Sequence, residues 1–254
     1  MRLHGKTALV TGATSNIGRA IALAFGAEGA HVIVSGRDAD RGERVVATIR
    51  AAGGKADFVA AELDGSAEHS RELAAAAREK LGQPIDILVN NAGIFPGGAT
   101  TSIDEETFDL VYAVNVKAPY FLTAAIAPEM AARATGTIIN LGSWVARLGL
   151  GVGALYASSK GALETLTRAW SAEFGPSGVR VNAIAPGVIR TPDLGPGVEH
   201  PSAVMMHGTP AGTVGTPDAV AHAAVYLASD EAGFVHGTVL DVDGGRIGAA
   251  VVRQ

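Results

Sequence analysis

Three side chains that can move a proton lie close together in the sequence: the hydroxyl of Ser143, the phenol of Tyr156 and the amine of Lys160. Apolar residues recur after Lys160 at three- and four-residue steps until Gly175-Pro176, which predicts a helix that opens at Tyr156. The apolar residues in this pattern are Leu163, Leu166, Trp170 and Phe174. Because residues four apart share one helix face, the lysine charge is expected beside the phenol.

This spacing is suited to acid–base chemistry. An ammonium about 4 Å from the phenol oxygen, at an effective dielectric of about 20, favours the phenolate by about 4 kcal/mol. That energy would lower the pKa of a phenol from about 10 to about 7, and the positive end of the helix acts in the same direction. A phenol that titrates near neutral pH is a general acid or base, as interconversion of an alcohol and a carbonyl requires. Taken alone, Tyr156 and Lys160 could equally be an ordinary amphipathic helix pair.

Ser143 follows the apolar run 137–141 and Gly142, so it is expected where a buried strand ends, thirteen residues before Tyr156. This Ser, Tyr-x-x-x-Lys arrangement resembles the short-chain dehydrogenase/reductase family in its compact form. The resemblance covers essentially the whole chain. It implies NAD(P)(H)-dependent interconversion of a ketone or aldehyde with an alcohol.

The elements predicted along the chain agree with such a fold. Strands are predicted over 7–10, 31–35, 57–63, 85–89, 137–141, 179–185 and 238–242, and helices over 20–25, 41–52, 68–81, 107–125, 156–174 and 216–229. Strands alternating with helices imply a doubly wound parallel sheet, the Rossmann fold. No linker divides the sequence, which predicts a single domain over 1–254.

The resemblance assigns roles to four catalytic residues. Tyr156 would donate or accept the hydroxyl proton, Lys160 would lower its pKa and bind the nicotinamide ribose, and Ser143 would orient the substrate oxygen. Asn115, in Val114-Asn115-Val116, would bend its helix and hold a water that extends the proton relay. A buried amide that is satisfied within the core is the alternative reading of Asn115.

A small-residue turn between the first strand and the first helix is typical of phosphate binding. Glycines let the backbone approach a pyrophosphate, and the helix N-terminus supplies free N–H groups and a positive dipole. The residues predicted to bind here are Gly12, Thr14, Ser15, Asn16, Ile17 and Gly18. Asn16 stands where the family has its middle glycine. Asn tolerates positive φ better than other residues with side chains, so the turn is expected to form.

The second strand ends at Gly36-Arg37-Asp38, which bears on the choice of nucleotide. A carboxylate at this strand end selects NAD, whereas a nearby Arg accommodates the 2′-phosphate of NADP. In the resemblance, Gly36 occupies the position where NAD-preferring members carry Asp, and Ser15 stands where NADPH-using members often carry Arg or Lys. Arg37 therefore favours NADP(H), and NAD(H) stays an alternative because of Ser15 and Asp38.

Further cofactor contacts are implied by the resemblance. The side chain and backbone of Glu62-Leu63, where the family has Asp-Val, would meet the adenine. The matching tetrapeptide Asn90-Asn91-Ala92-Gly93 would tie strand ends together and present Asn91, Ala92 and Gly93 to the ribose. In Pro186-Gly187-Val188-Ile189-Arg190-Thr191, the backbone of Ile189 would bind the nicotinamide carboxamide and Thr191 the same group or a phosphate.

A Gly- and Pro-rich loop at about 190–215 is predicted to cover the substrate, since long loops in compact domains are often lids. Six apolar residues are expected to face the pocket and suggest a largely apolar substrate, with core packing as the competing explanation: Phe95, Trp144, Leu148, Leu150, Met205 and Met206. The loop also carries His200 and His207, but without convergent carboxylates no metal site is predicted.

Composition restricts the class of protein. With 254 residues, a formal net charge of −5 and a pI near 5.8, the chain lacks the basic excess of a nucleic-acid or anionic-membrane binder. It has no cysteine, so disulfides and thiolate sites are excluded. With neither a signal peptide nor an apolar run of membrane-spanning length in view, a cytoplasmic protein is expected. The resemblance implies a homotetramer or homodimer.

Three other functions stay open. A 3-oxoacyl-thioester reductase would use the same four residues, although docking of an acidic carrier protein favours a basic patch, and Arg190 is the only Lys or Arg between positions 186 and 213. A dehydrogenase that oxidises alcohols with NAD is the second. A catalytically inactive cofactor sensor or scaffold is the third, and the complete set of four catalytic residues argues against it.

Overall fold

Seven strands form one parallel sheet, in the order β3-β2-β1-β4-β5-β6-β7. The computed structural model describes residues 1–151, 153–191, 194 and 198–250. The strands are β1 (Thr7–Val10), β2 (His31–Gly36), β3 (Lys55–Ala60), β4 (Ile87–Asn90), β5 (Gly136–Leu141), β6 (Val179–Pro186) and β7 (Val239–Val242). Register starts at Thr7 opposite His31 and at Ala8 opposite Ile87, so β1 is paired on both sides.

Helices cover both faces of the sheet. They are α1 (Asn16–Ala27), α2 (Ala39–Ala51), α3 (Ala67–Leu81), α4 (Glu105–Tyr112), α5 (Ala118–Ala132), α6 (Ala154–Phe174) and α7 (Pro217–Ala228). One apolar cluster joins the sheet to α1, α2 and α7, and a second joins it to α3, α5 and α6. This arrangement is the predicted doubly wound Rossmann fold.

Alternation along β1 shows how the sequence builds the two layers. Ala8 and Val10 pack into the first cluster, and Leu9 packs into the second. Successive side chains of a strand point to opposite faces, and a parallel sheet covered on both faces therefore requires continuous apolar strands. The predicted apolar stripe of α6 packs in the second cluster, with Leu163 and Trp170 fully covered.

Two element predictions need correction. The third strand is 55–60 rather than 57–63, because its pairing with β2 starts at His31 opposite Lys55; Glu62 and Leu63 therefore lie in the following loop. The segment 107–125 is divided into α4, a π-helical turn (Ala113–Lys117) and α5. Helix α6 begins two residues before Tyr156, and the Ser66 side chain caps the N-terminus of α3.

The helical run Glu105–Ala132 is long and apolar enough, by length and composition alone, to cross a membrane. This corrects the expectation that no apolar stretch reaches that length. The run packs against α3 and α6, as the core helix of a globular protein does. Pro192, Asp193 and 195–197 of the predicted substrate loop lie outside the described residues.

Candidate active site

A cavity of about 890 Å³ opens at the carboxyl ends of the strands, where the strand order reverses between β1 and β4. Ligands of open α/β sheets bind at such a crevice. All residues predicted to bind the cofactor line it: Gly12, Thr14, Ser15, Asn16, Ile17, Gly18, Arg37, Glu62, Leu63, Asn91, Ala92, Gly93, Tyr156, Lys160, Pro186, Gly187, Ile189 and Thr191. Ser143 also lines the cavity, whereas Asn115 lies behind its wall.

The turn after β1 depends on residues that accept a positive φ. Gly12 has φ of 61° and Asn16 has φ of 43°, so Asn replaces the glycine in the left-handed region that the sequence predicted for it. A Cβ on Gly18 would lie 2.3 Å from the carbonyl oxygen of Gly12. Only glycine lets α1 approach the turn this closely.

The N-terminus of α1 has the capacity to hold a phosphate group. Its N-cap residue, Ser15, makes no side-chain hydrogen bond to the first turn, so these N–H groups remain for a ligand. The Oδ1 atom of Asn16 is buried without a hydrogen bond among the described residues. An unpaired buried acceptor fits a ligand hydroxyl. The turn therefore fits a dinucleotide.

The end of β2 places two arginines beside the cavity. Asp38 caps α2: it accepts the backbone N–H of Arg41 at 2.9 Å and pairs with the Arg41 side chain at 2.6 Å. The hydrogen bond from the Arg41 backbone lowers the pKa of Asp38. A Cβ on Gly36 would lie 2.7 Å from Thr14 Cγ2, which leaves little room for a carboxylate there. Arg37 is exposed at the cavity rim.

Asn91 ties β4 to the glycine turn. Its Nδ2 donates to the carbonyl oxygens of Thr11 at 2.8 Å and Gly12 at 3.1 Å. The Thr11 hydroxyl accepts the backbone N–H groups of Asn91 and Ala92 at 3.0 and 3.1 Å. The amide side chain therefore serves the strand-linking role that the sequence suggested, and the small backbone that follows borders the cavity.

Ser143 and Tyr156 meet on the opposite wall. Ser143 lies two residues after the end of β5, and its hydroxyl accepts the backbone N–H of Val145 at 3.5 Å. Tyr156 lies in the first turn of α6. A hydrogen bond from the Ser143 hydroxyl favours the phenolate of Tyr156. The ring of Phe95 packs edge-on against Tyr156, with centroids 4.7 Å apart.

The electrostatics of the Tyr156–Lys160 pair differ from the sequence-based expectation. Burial raises the pKa of Tyr156, and the Ser143 hydrogen bond offsets this effect only in part. The prediction of a pKa near 7 was wrong because it omitted desolvation, which favours the neutral phenol. Lys160 is buried, its Nζ lies 5.7 Å from the phenol ring centroid, and burial lowers its pKa to about 8.

Asn115 is fully buried in the π-helical turn. Its Nδ2 donates to the Ile94 carbonyl and the Ser159 hydroxyl, both at 3.0 Å, and its Oδ1 accepts the Ile94 N–H at 2.9 Å. The side chain is therefore a satisfied core amide that holds the loop after β4. A Cβ on Gly93 would lie 3.3 Å from both Asn115 Oδ1 and Lys160 Nζ, so a small residue is needed between them.

The loop after β6 forms the far wall. A Cβ on Gly187 would lie 2.7 Å from Asp243 Cα, which explains the glycine. The N–H of Arg190 donates to the Gly215 carbonyl, and the N–H of Gly215 donates to the Val188 carbonyl. These hydrogen bonds hold the loop in place. Neither of them involves the backbone N–H or carbonyl of Ile189, which lies beside the cavity.

The substrate end of the cavity is mainly apolar. Of the six residues predicted to face it, Phe95, Trp144, Leu150 and Met205 do so. Leu148 and Met206 instead pack in a small cluster with Trp144 and Val188 behind the wall. Core packing, the competing explanation, applies to these two, whereas Trp144 and Met205 contact both this cluster and the cavity.

Sequence reasoning missed several residues near the site. Arg41 and His200 line the cavity, and the Nδ1 of His200 accepts the backbone N–H of Ser202 at 3.1 Å. Glu164 is buried one turn after Lys160, and Arg147 contacts it at 3.3 Å. The four-residue spacing from Lys160 to Glu164 was the available signal. Within the described part of the chain, no three His, Cys, Asp or Glu side chains gather to hold a metal.

Comparison with known proteins gives consistent matches over the whole chain. A family model described as enoyl-(acyl carrier protein) reductase matches residues 12–246. The 3-oxoacyl-(acyl-carrier-protein) reductase FabG of Thermotoga maritima is similar at 36% identity over 247 residues, which cover 97% of this chain and 100% of that protein.

Two solved structures have the same fold. A 7 alpha-hydroxysteroid dehydrogenase complexed with NADH and 7-oxo glycochenodeoxycholic acid has a TM-score of 0.89 and 37% identity, covering 96% of this chain and 95% of its own. A protein from Beutenbergia cavernae assigned as an NAD(P) dependent gluconate 5-dehydrogenase, with bound NADP, has a TM-score of 0.87 and 36% identity, covering 97% and 98%.

Proposed function

As a member of the short-chain dehydrogenase/reductase family, this chain is an NAD(P)-dependent oxidoreductase that interconverts carbonyl and alcohol groups, and we propose that Tyr156 moves the hydroxyl proton. The single observation that carries this role is the placement of the Ser143 hydroxyl beside the Tyr156 phenol on the wall of the dinucleotide-sized cavity. A phenol and a hydroxyl that already contact each other can both reach one substrate oxygen.

The four predicted residues divide the work. In the direction of reduction, the neutral phenol of Tyr156 donates its proton to the carbonyl oxygen, which Ser143 orients. Lys160 stabilises the phenolate that remains and binds the nicotinamide ribose. The bound nicotinamide supplies the hydride. Asn115 anchors a water that extends the proton relay from Lys160. Because both N–H groups of the Asn115 side chain already donate hydrogen bonds, this water would bind to backbone groups that the π-helical turn makes accessible.

NADP(H) is the nucleotide we favour. Arg37 and Arg41 supply positive charge beside the end of β2, where a 2′-phosphate would lie. Contact between Gly36 and Thr14 disfavours a carboxylate at this place. The carboxylate of Asp38 is occupied as a helix cap. NAD(H) stays the alternative, because Ser15 contributes no charge.

The substrate we propose is a small molecule with a largely apolar body. Phe95, Trp144, Leu150 and Met205 provide the surface for it, and His200 is a polar group on the same side. Apolar lining with few polar groups is the usual design of small-molecule sites. A ring or chain bearing one ketone, aldehyde or hydroxyl group fits this description.

Reduction of 3-oxoacyl thioesters is a second candidate, favoured by the similarity to the Thermotoga maritima FabG. The sparse positive charge of the substrate loop, where Arg190 is the only cation of segment 186–213, speaks against an acidic carrier protein as the usual partner. A catalytically inactive sensor is disfavoured by the contact between Ser143 and Tyr156.

Assembly into a homodimer or homotetramer is also part of the proposal. Two aromatic side chains on α4 and α5 are exposed, namely Phe108 and Tyr120, and Phe234 is fully exposed elsewhere. Such surface is expected to be covered by another copy of the chain. We further propose that residues 1–254 form a single domain, and that the enzyme is cytoplasmic and has no nucleic-acid or membrane partner.

The test compares the wild type with Tyr156→Phe in two assays. Fluorescence titration with NADPH and NADH measures cofactor binding, and a panel of cyclic ketones, aldehydes and an acetoacetyl thioester measures turnover. Tyr156→Phe should lower kcat by about 10²- to 10⁴-fold, as loss of a general acid does, while the variant still binds nucleotide. Tyr226→Phe, on α7, is the matched control and should retain activity.

Full turnover by Tyr156→Phe would reject the proposed role of the phenol. Nucleotide binding by the wild type without turnover of any panel member would favour the sensor instead. Preference for the thioester over simple ketones would favour the second candidate.

A further inference from the structure

A buried carboxylate, Glu164, lies one helical turn after Lys160 and has no part in the mechanism above. Its side chain is only 4% exposed, and its Oε1 atom has no hydrogen bond of good geometry among the described residues. Burial of a charge costs free energy unless partners compensate for it. The groups around Glu164 therefore indicate what it stabilises.

Glu164 supports the backbone that carries Ser143. A Cβ added to Gly142 would lie 2.8 Å from Glu164 Oε1, so the carboxylate and the Gly142-Ser143 turn are in direct contact. Burial raises the pKa of Glu164, whereas the charge of Arg147 and the nearby backbone N–H of Ser143 favour its ionised form. The carboxylate thus fixes the peptide from which the Ser143 hydroxyl reaches Tyr156.

Arg147 anchors the other end of the same segment. It follows the short 3₁₀ turn (Trp144–Ala146) that begins after Ser143. Its Nε lies 3.3 Å from Glu164 Oε2. Its two terminal nitrogens donate to the carboxylate of Asp241 on β7, one of them at 3.0 Å. The segment between β5 and α6 is therefore held to both α6 and β7 through charged groups.

The charges alternate from Lys160 through Glu164 and Arg147 to Asp241. Glu164 faces Lys160 and Arg168 from α6, the Ser143 N–H and Arg147 from the segment after β5, and Asp241 of β7. Lys160 itself donates to the carbonyl oxygen of Leu141 at 2.7 Å. Glu164 is the only carboxylate among the described residues whose charge favours the Lys160 ammonium.

We propose that Glu164 is a positioning residue of this active site, which holds the Gly142-Ser143 turn in place and supplies a negative charge one helical turn from the buried Lys160 ammonium. Its effect on turnover rests on the proposed function. Its effect on the lysine is a property of the protein alone, and is measured without substrate.

The sign of the electrostatic effect follows from the environment of the lysine. Burial lowers the pKa of Lys160 to about 8, and the Glu164 charge opposes this lowering. Replacement by the neutral isostere in Glu164→Gln removes the opposing charge but keeps the shape of the side chain. The pKa of Lys160 should then fall further, by about one unit, as expected for loss of an adjacent opposite charge.

Lysine titration tests the proposal directly. The chain has five lysines, so protein labelled with ¹³Cε-lysine gives few signals, and Lys160→Met assigns the one of interest. Glu164→Gln should move the Lys160 titration to lower pH and reduce kcat about tenfold or more through misplacement of Ser143, with KM unchanged. Glu173→Gln, an exposed glutamate of the same helix, is the control and should change neither quantity.

An unchanged Lys160 titration in folded Glu164→Gln would overturn the proposal. A role in packing alone predicts this unchanged titration, together with a loss of stability. If Glu164→Gln does not fold, carboxyl ¹³C spectra of the wild-type protein labelled at glutamate replace it. Glu164 must be ionised at neutral pH, and a protonated Glu164 at that pH refutes the proposal. Absence of turnover in the wild type would reject the proposed function and leave the titration result intact.

Discussion

Lys160 Nζ donates a 2.7 Å hydrogen bond to the carbonyl oxygen of Leu141, the last residue of β5. This bond ties the buried ammonium to the strand end from which Ser143 departs. The lysine therefore has a fixed position relative to both Ser143 and Tyr156. Its charge state depends on its burial, because water cannot solvate an ammonium in this place.

The rate of carbonyl reduction should fall as pH rises through about 8. Burial lowers the pKa of Lys160 to about 8 from its usual 10.5, so the ammonium loses its proton earlier on the alkaline side. Tyr156, whose pKa burial raises, stays a proton donor in this range. The measurement is kcat for ketone reduction across a pH series at saturating substrate; a flat profile above pH 8 would contradict the assignment.

The titration of Lys160 would not cause this loss of activity by unfolding the protein. Between about 8 and 10.5 the folded lysine has released the proton that the unfolded lysine still holds, so this residue adds stability to the folded state as pH rises. Thermal unfolding at each pH is the control.

Arg37→Ala should weaken NADPH binding about tenfold or more and leave NADH binding unchanged. A guanidinium contact to a phosphate is a charge-assisted hydrogen bond, and NADH has no phosphate at this position. Parallel fluorescence titrations measure the two affinities. Arg71→Ala, an exposed arginine of α3, controls for net charge. Equal losses for both nucleotides would show that Arg37 does not read the phosphate.

Gly36→Asp alone should weaken binding of both nucleotides, because its Cβ would lie 2.7 Å from Thr14 Cγ2 and displace the glycine turn. The double variant Thr14→Ala with Gly36→Asp removes this contact. It should bind NADH in preference to NADPH, since the new carboxylate can accept the ribose hydroxyl but repels a phosphate. Titration of both variants and of Thr14→Ala with NADH and NADPH measures these affinities. Tight NADPH binding by the double variant would show that the 2′-phosphate does not lie beside position 36.

Asn16→Ala should destabilise the protein more than Asn16→Gly does. Asn16 has φ of 43°, a region that costs a residue with a Cβ about 1 kcal/mol or more and costs glycine nothing. Denaturant unfolding measures the difference in unfolding free energy between the two variants. Because both variants lose the same side-chain amide, loss of its contacts affects them equally. Equal stability of the two would mean that the turn relaxes to negative φ.

Much of this protein could be predicted because its pattern is local. Apolar strands such as 7–10 alternate with amphipathic helices, and each strand end carries its residues to the same edge of a parallel sheet. The glycine turn and the positive φ of Asn16 could also be predicted from residue types. Glu62 and Leu63 were expected in a strand and lie in a loop, because the pairing of β3 with β2 sets where the strand ends.

The amino-acid sequence was sufficient to predict the fold class, the family resemblance and the cofactor-side residues of the cavity, because spacing along helices and strands fixes which side chains share a face or an edge. The electrostatics of the site could not be predicted in this way. The pKa of Tyr156 and Lys160 depends on burial, and burial is produced by elements distant in sequence. The contacts of Glu164, Arg147 and Asp241 are likewise nonlocal, since they join a helix, a loop and a strand that meet only in the folded chain.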